Sequence, residues 1–176
     1  MIIRNVEKKD IQGILDIYTP FILDSITTFE TEVPSLEEFE KRVLETNKKF
    51  PWLVAVENDV VLGYAYGSEH RSRCSYQWSC ESSVYLAPEA RRKGLGKKLY
   101  LELFKILKSQ GFIQVLAGAA LPNEASVGLH KAMGFTEVGT YKKIGYKKGR
   151  WIDTYWMQLE LNAPEGPVEI IPYSKL

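Results

Sequence analysis

Residues 84 to 100 read Val84-Tyr85-Leu86-Ala87-Pro88-Glu89-Ala90-Arg91-Arg92-Lys93-Gly94-Leu95-Gly96-Lys97-Lys98-Leu99-Tyr100. The pattern is an apolar strand, a proline exit, a basic turn with two glycines and the start of a helix. In that helix Leu95, Leu99, Leu103 and Leu107 recur every four residues. The first turn of a helix carries N–H groups with no partner inside the helix and a partial positive charge, which suits a phosphate. Gly94 and Gly96 remove Cβ atoms where a ligand would approach, and Arg91, Arg92, Lys93, Lys97 and Lys98 gather positive charge there. The chemistry implied is binding of a pyrophosphate-bearing ligand. No third glycine follows Gly96 at the dinucleotide-fingerprint spacing, and there is no Gly-Lys-Ser/Thr of a P-loop.

A second group of residues has types suited to proton transfer and carboxylate recognition. Glu81 is a carboxylate inside a largely apolar run, and burial would raise its pKa toward the range useful for taking up a proton. Residue types alone equally allow a surface or salt-bridged glutamate. His130 can donate a proton, touch a ligand or simply pack, since an imidazole titrates near neutral pH. Arg71 and Arg73 lie in a polar stretch and can grip a carboxylate through two parallel hydrogen bonds, although such arginines are commonly just solvated. Only His70 and His130 accompany Cys74 and Cys80, so no metal site is expected.

The elements that position these residues follow from periodicity. Ile2 to Val6 predicts a strand, and Asp10 can cap a helix carrying Ile11, Ile14, Leu15, Ile17 and Tyr18, with Pro20 near its end. Asp24 to Thr31 reads as a hydroxyl-rich loop presenting Phe29, either a connector or a substrate-side lid. Ser35 and Glu38 form a capping box for a second helix. Residues 52–56 and 60–67 predict a hairpin, and Tyr76 to Leu86 a longer strand with Glu81 and Tyr85 on one face and Trp78, Cys80, Ser82 and Leu86 on the other. After the helix from Leu95, residues 115–120 predict a strand parallel to 78–86 through a right-handed crossover. Asn123 opens a short helix stopped by Gly134, where an asparagine is a common cap. Phe135 to Gly139 begins another strand, the Tyr141–Gly149 run reads as an exposed loop or hairpin tip, and residues 154–161 close the sheet.

Length and composition bound the rest. A chain of 176 residues with 45% hydrophobic content supports one core, giving a single α+β domain over 1–161 and a proline-bearing tail over 162–176. Net charge is +1, so nothing global favours nucleic acid or an anionic membrane. No apolar run approaches membrane-spanning length, no secretion signal is evident, and the two cysteines suit reduced thiols in the cytoplasm.

The strand, the exit through Pro88 and Arg-x-x-Gly-x-Gly together resemble the acyl-CoA loop of the GNAT N-acetyltransferases. Within that superfamily the chain resembles phosphinothricin N-acetyltransferases and their methionine sulfoximine acetylating relatives. The resemblance rests on Glu81 to Leu86, Leu121-Pro122-Asn123 with Ser126, Val127, Leu129 and His130, Gly134-Phe135, and Gly145-Tyr146-Lys147-x-Gly149-x-Trp151-x-Asp153, together with Phe29-Glu30, Arg73, Tyr76 and Trp78 upstream.

This resemblance implies a mixed, mostly antiparallel sheet flanked by helices, in which two central parallel strands splay apart to admit acetyl-CoA. It implies that the backbone of Val84, Tyr85 and Leu86 holds the pantetheine arm, that the turn from Arg92 to Lys97 holds the pyrophosphate, and that Asn123 touches the cofactor. It casts Glu81 as the base for the amine and His130 as a possible proton donor to the thiolate, with Tyr85 and Tyr141 as fallback donors. Arg73 or Arg71 would bind the carboxylate of a small amino acid analogue, walled by Phe29, Tyr76 and Trp78. A homodimer is implied as well. Acetylation of protein N-termini or polyamines, or a CoA-binding sensor without activity, are the alternatives. The absence of an acidic cluster near Tyr76 to Glu81 argues against polyamines.

Overall fold

The computed structural model describes residues 1–176, with seven strands in one sheet and four α-helices. The strands are β1 (Ile2–Asn5), β2 (Trp52–Glu57), β3 (Val60–Glu69), β4 (Ser79–Leu86), β5 (Gln114–Ala120), β6 (Thr136–Lys147) and β7 (Arg150–Glu160). The helices are α1 (Ile11–Leu23), α2 (Leu36–Lys49), α3 (Leu95–Ser109) and α4 (Glu124–Ala132). Strand order across the sheet is β1-β2-β3-β4-β5-β7-β6. Every neighbouring pair is antiparallel except β4 with β5.

That parallel pair is short. Ser79 lies beside Gln114, Cys80 beside Val115 and Glu81 beside Leu116, and there the pairing stops, although both strands continue. β4 goes on pairing with β3 as far as Leu86, and β5 with β7 as far as Ala120. The two central strands therefore part immediately after Glu81. Backbone groups of the outer half of β4 have no strand on that side.

Alternation along β4 sorts its side chains to the two faces of the sheet. Tyr85 packs edge-on against Tyr18 and Phe21 of α1 and stacks on Tyr64, whereas Leu86 reaches Gly96 of α3. Glu81 shares the α1 face with Tyr85. Cys80 and Ser82 share the α3 face with Leu86 and are buried.

Local chemistry accounts for several boundaries. The β2–β3 turn places Asn58 (φ 51°) and Asp59 (φ 61°) in the left-handed region, the pair of dihedrals a tight two-residue hairpin requires. Ser35 and Glu38 exchange capping hydrogen bonds at the start of α2, with the Glu38 amide donating to Ser35 Oγ at 3.3 Å and the Ser35 amide to Glu38 Oε2 at 2.9 Å.

Three expectations change and a fourth narrows. Asp10 makes no side-chain cap on α1; its carboxylate takes two hydrogen bonds from Arg4, at 2.6 and 2.9 Å, and one from the Glu7 amide at 2.8 Å. The strand predicted from Tyr76 begins at Ser79, because Cys74–Tyr76 coil into a 3-10 turn. The Tyr141–Gly149 run takes the hairpin alternative and not the loop: β6 continues through it to Lys147 with a register slip between Tyr141 and Gly145, and Lys148 and Gly149 form the turn. Finally, β7 does not close the sheet but lies between β5 and β6, leaving β6 as the edge.

The last residues lie along the body of the fold. The Ile171 amide donates to the Gln110 carbonyl at 2.9 Å, and Gln110 Nε2 donates to the carbonyls of Ile171 and Lys49, both at 2.8 Å. No helix is long and apolar enough to cross a membrane.

Candidate active site

The basic turn after β4 becomes a helix start in the conformation a phosphate site needs. Gly94 precedes α3 with φ 76°, a left-handed value that a side chain would strain. The first helical bond runs from the Lys98 amide to the Gly94 carbonyl at 3.1 Å, so the amides of Leu95, Gly96 and Lys97 come before the ladder. Arg92, Lys93, Lys97 and Lys98 are exposed around this point.

The two glycines do different work. A Cβ on Gly94 would meet nothing within 4 Å, so its role is conformational. Gly96 is buried, and a Cβ there would lie 3.2 Å from Leu129 of α4, so its role is to let α4 approach α3. Arg91 is directed away from the turn: its Nε donates to the Leu86 carbonyl at 3.3 Å and its guanidinium sits 5.3 Å from the centre of the Phe21 ring.

Glu81 occupies the point where β4 and β5 separate. It lines a cleft of ≈ 580 Å³ with His70, Arg71, Leu116, Trp156 and the β6 segment from Val138 to Tyr141. Its Oε1 lies 2.8 Å from His70 Nδ1, and the two side chains retain 31% and 14% of their exposure. Arg71 Nε donates to His70 Nε2 at 3.4 Å, and its guanidinium lies 5.3 Å from the Tyr76 ring centre. Glu81, His70 and Arg71 thus form one cluster on the cleft wall, with Tyr76 packed behind His70 and Arg71.

Other predicted substrate residues lie elsewhere. Trp78 does not wall the cleft: its Nε1 donates to the Val168 carbonyl of the C-terminal segment at 2.6 Å. Arg73 is exposed and makes no ion pair, at the start of the 3-10 turn. Phe29 packs against Gly145 of β6, where a Cβ would come within 2.6 Å of the ring. Its loop is fastened from below by Lys147, whose Nζ donates to the Thr28 carbonyl at 2.8 Å.

His130 is on the other side of the sheet from Glu81. It keeps 4% of its exposure, its Nδ1 lies 2.7 Å from the Ser126 carbonyl, and its Nε2 lies 3.0 Å from the Tyr100 hydroxyl. A carbonyl only accepts, so Nδ1 carries the proton and Nε2 receives the hydroxyl's. Burial pushes its pKa down, partly opposed by the bond to Ser126, and the ring is neutral near pH 7. In this state it has no proton to give at Nε2. The fallback donors are also committed: Tyr85 is wedged among Tyr18, Phe21 and Tyr64, with its pKa pushed far up by burial and neighbouring tyrosines. Tyr141 lies edge-on to Trp156 at the cleft rim.

Asn123 caps α4 through its side chain, which accepts from the Ser126 amide at 3.1 Å. That occupies the side-chain oxygen and leaves the amide nitrogen free to donate. No cluster of three or more metal-ligating side chains is present.

Three features escape sequence reading. His70 pairs with Glu81 only because β3 and β4 are in a particular register. Trp156 and Leu116 join the cleft only through the order of strands. Lys147 sits in a motif whose pattern says nothing of which loop it holds.

Comparison with known proteins agrees with this geometry. A family profile for the acetyltransferase (GNAT) domain matches residues 3–156. The phosphinothricin N-acetyltransferase of Streptomyces viridochromogenes is 36% identical over 174 residues, covering 99% of this chain and 95% of the relative. The L-methionine sulfoximine/L-methionine sulfone acetyltransferase of Salmonella typhimurium is 34% identical over 171 residues, covering 95% of this chain and 98% of the relative. The crystal structure of a phosphinothricin acetyltransferase from Sinorhizobium meliloti in complex with acetyl-CoA has TM-score 0.91 and 36% identity, covering 99% of this chain and 97% of that one. The chain belongs to the GNAT acetyltransferase family and is an N-acetyltransferase of the phosphinothricin acetyltransferase-like kind.

Proposed function

We propose that the protein transfers the acetyl group of acetyl-CoA to the α-amino group of a small amino acid analogue such as phosphinothricin, methionine sulfoximine or methionine sulfone. The observation that carries this reading is the position of Glu81: a carboxylate at the parting of β4 and β5, in a cleft that also presents Arg71. The names and extents of the relatives support the substrate class.

The residues present fit acetyl-CoA. Along Val84 to Leu86 the parted strands leave β4 without a strand on the β5 side, where only Arg91 Nε reaches the Leu86 carbonyl, and the helix start from Leu95 to Lys97, ringed by lysines and Arg92, offers amides and charge to a pyrophosphate. The Asn123 amide nitrogen lies at the far strand. When bound, acetyl-CoA supplies a thioester carbonyl as electrophile.

The chain's part is to prepare the amine. An ammonium has no lone pair, so Glu81, directly or through a water, takes one proton and leaves a nucleophile at the gap between the strands. Arg71 offers a planar fork to the acceptor's carboxylate, which sets the α-amino group toward Glu81. His130 enters this scheme as a packing residue that orders Tyr100 and α4 beside the cofactor side of the sheet.

We extend the proposal to a cytoplasmic homodimer. Exposed apolar side chains concentrate on the edge hairpin, at Val138, Tyr141, Ile144, Tyr146 and Trp151, and Cys74 and Cys80 are free thiols. A sedimentation mass of one 20.1 kDa chain would remove the dimer.

The test of the activity is thiol release from acetyl-CoA with a panel of L-phosphinothricin, L-methionine sulfoximine, L-methionine sulfone, common amino acids, spermidine and a peptide. Turnover confined to the amino acid analogues supports the proposal. Turnover only with spermidine or peptide keeps the enzyme and overturns the substrate.

A further inference from the structure

We propose that His70 is a positioning residue for the Glu81 carboxylate, so that imidazole and carboxylate act as one unit in taking the acceptor's proton; this rests on Glu81 being the base. The register creates the pair. Ser68 of β3 lies directly opposite Glu81 of β4, so both point to the same face. His70, two residues past Ser68, is the diagonal neighbour on that face, within reach of a long side chain. The resulting Nδ1 to Oε1 distance is 2.8 Å.

The proton's location on the ring follows from the other contact. Arg71 Nε can only donate, so His70 Nε2 accepts from it and Nδ1 holds the hydrogen directed at Glu81. Two aromatic neighbours fix the ring plane: Tyr76 at 6.2 Å and Trp156 at 5.9 Å, both edge-on. The ring is mostly buried while Glu81 still reaches the cleft. One carboxylate oxygen is therefore held by a rigid donor, and the second is left for the amine. A glutamate has three freely turning bonds, and without such a partner it samples orientations that miss the gap. The charged and titratable groups that meet the imidazole are Arg71, Glu81 and Tyr76; Trp156 closes the remaining side.

Arg71 links this unit to substrate recognition. A carboxylate drawn to its guanidinium competes with Nε2 for the same donors, so acceptor binding and the state of the imidazole are coupled.

The experiment compares wild type, His70→Ala, His70→Asn, Glu81→Gln and the Glu81→Gln/His70→Ala double variant. The assay is thiol release with L-methionine sulfone from mildly acid to alkaline pH, with thermal stability and acetyl-CoA binding as folding controls. We expect His70→Ala to lower kcat about tenfold, the worth of one hydrogen bond to a charged group, with little change in the acceptor KM. His70→Asn, whose amide N–H replaces Nδ1–H, should recover most of kcat. The double variant should be no slower than Glu81→Gln alone. Wild-type kcat and pH profile in His70→Ala beside an inactive Glu81→Gln would overturn this proposal and leave Glu81 as base. His70→Asn as slow as His70→Ala would mean that a donor at this place does not set the carboxylate, and would overturn a positioning role. A fully active Glu81→Gln would remove the base and this proposal with it.

Discussion

The Tyr100 hydroxyl donates to His130 Nε2 across 3.0 Å, joining the middle of α3 to the end of α4 inside the protein. Tyr100 is fully buried, and burial pushes its phenol above the ordinary tyrosine range, so it stays protonated and remains the donor. The imidazole is correspondingly an acceptor and neutral. A histidine that sequence alone would offer to catalysis instead fastens α4 to α3.

That arrangement gives a pH dependence of stability. Burial holds His130 below its ordinary value of 6.5 in the folded protein, so the unfolded chain takes up the proton first as pH falls. The stabilisation is complete above 6.5 and is lost progressively below it, until the folded value is reached. Denaturant midpoints should therefore fall across that window in wild type and change much less in His130→Gln, which does not titrate. The acidic groups Asp10 and Asp153, held below 3.8, act only in a lower window.

The Arg4–Asp10 pair ties β1 to the start of α1. Burial alone would raise the Asp10 pKa, but the hydrogen bonds from Arg4 and the Glu7 amide outweigh it and the net shift is downward. Asp10→Ala leaves Arg4 and the Glu7 amide without their acceptor and should cost about 2–4 kcal/mol in denaturant titrations. A loss within experimental error would mean the pair is replaced by solvent.

Gly94→Ala forces a side chain into a left-handed conformation. We expect about 1 kcal/mol lower stability, and acetyl-CoA binding weakened several-fold because the amides that follow are displaced. Calorimetric titration with acetyl-CoA checks this, and unchanged affinity would exclude the turn from pyrophosphate binding.

Arg71→Lys replaces a planar fork with a point charge. The acceptor KM should rise about tenfold while the acetyl-CoA KM stays near wild type. An unchanged acceptor KM would transfer carboxylate binding to another residue, with the exposed Arg73 the first to vary.

Much of this was legible in the sequence because it is encoded locally. The leucine stripe of α3, the Ser35–Glu38 capping box, the β2–β3 turn and the strand–turn–helix at residues 84–100 each depend on neighbours within a few positions. The parallel placement of β5 beside β4 followed from the crossover rule and is observed. What failed depended on contacts between separate elements. Asp10 looked like a cap until Arg4 came within reach, and Trp78 looked like a pocket wall until the Val168 carbonyl claimed its indole. For the Tyr141–Gly149 run only the loop reading fails; pairing with β7 makes it the end of a hairpin, the other reading its turn-forming residues allowed. The His70–Glu81 pair was invisible for the same reason: a diagonal contact exists only once the register is known.

Lys147 has a consequence for how the molecule assembles. The residue is 6% exposed, and its ammonium donates to the carbonyl of Thr28 across a separation of 119 residues. Burial, helped by the adjacent Lys148, lowers its pKa, and the backbone carbonyl is its closest bonded partner. A clasp between such distant points of the chain forms only when the hairpin and the first helix are already in place. The loop carrying Phe29 thus takes its shape from a strand 119 residues further along the chain.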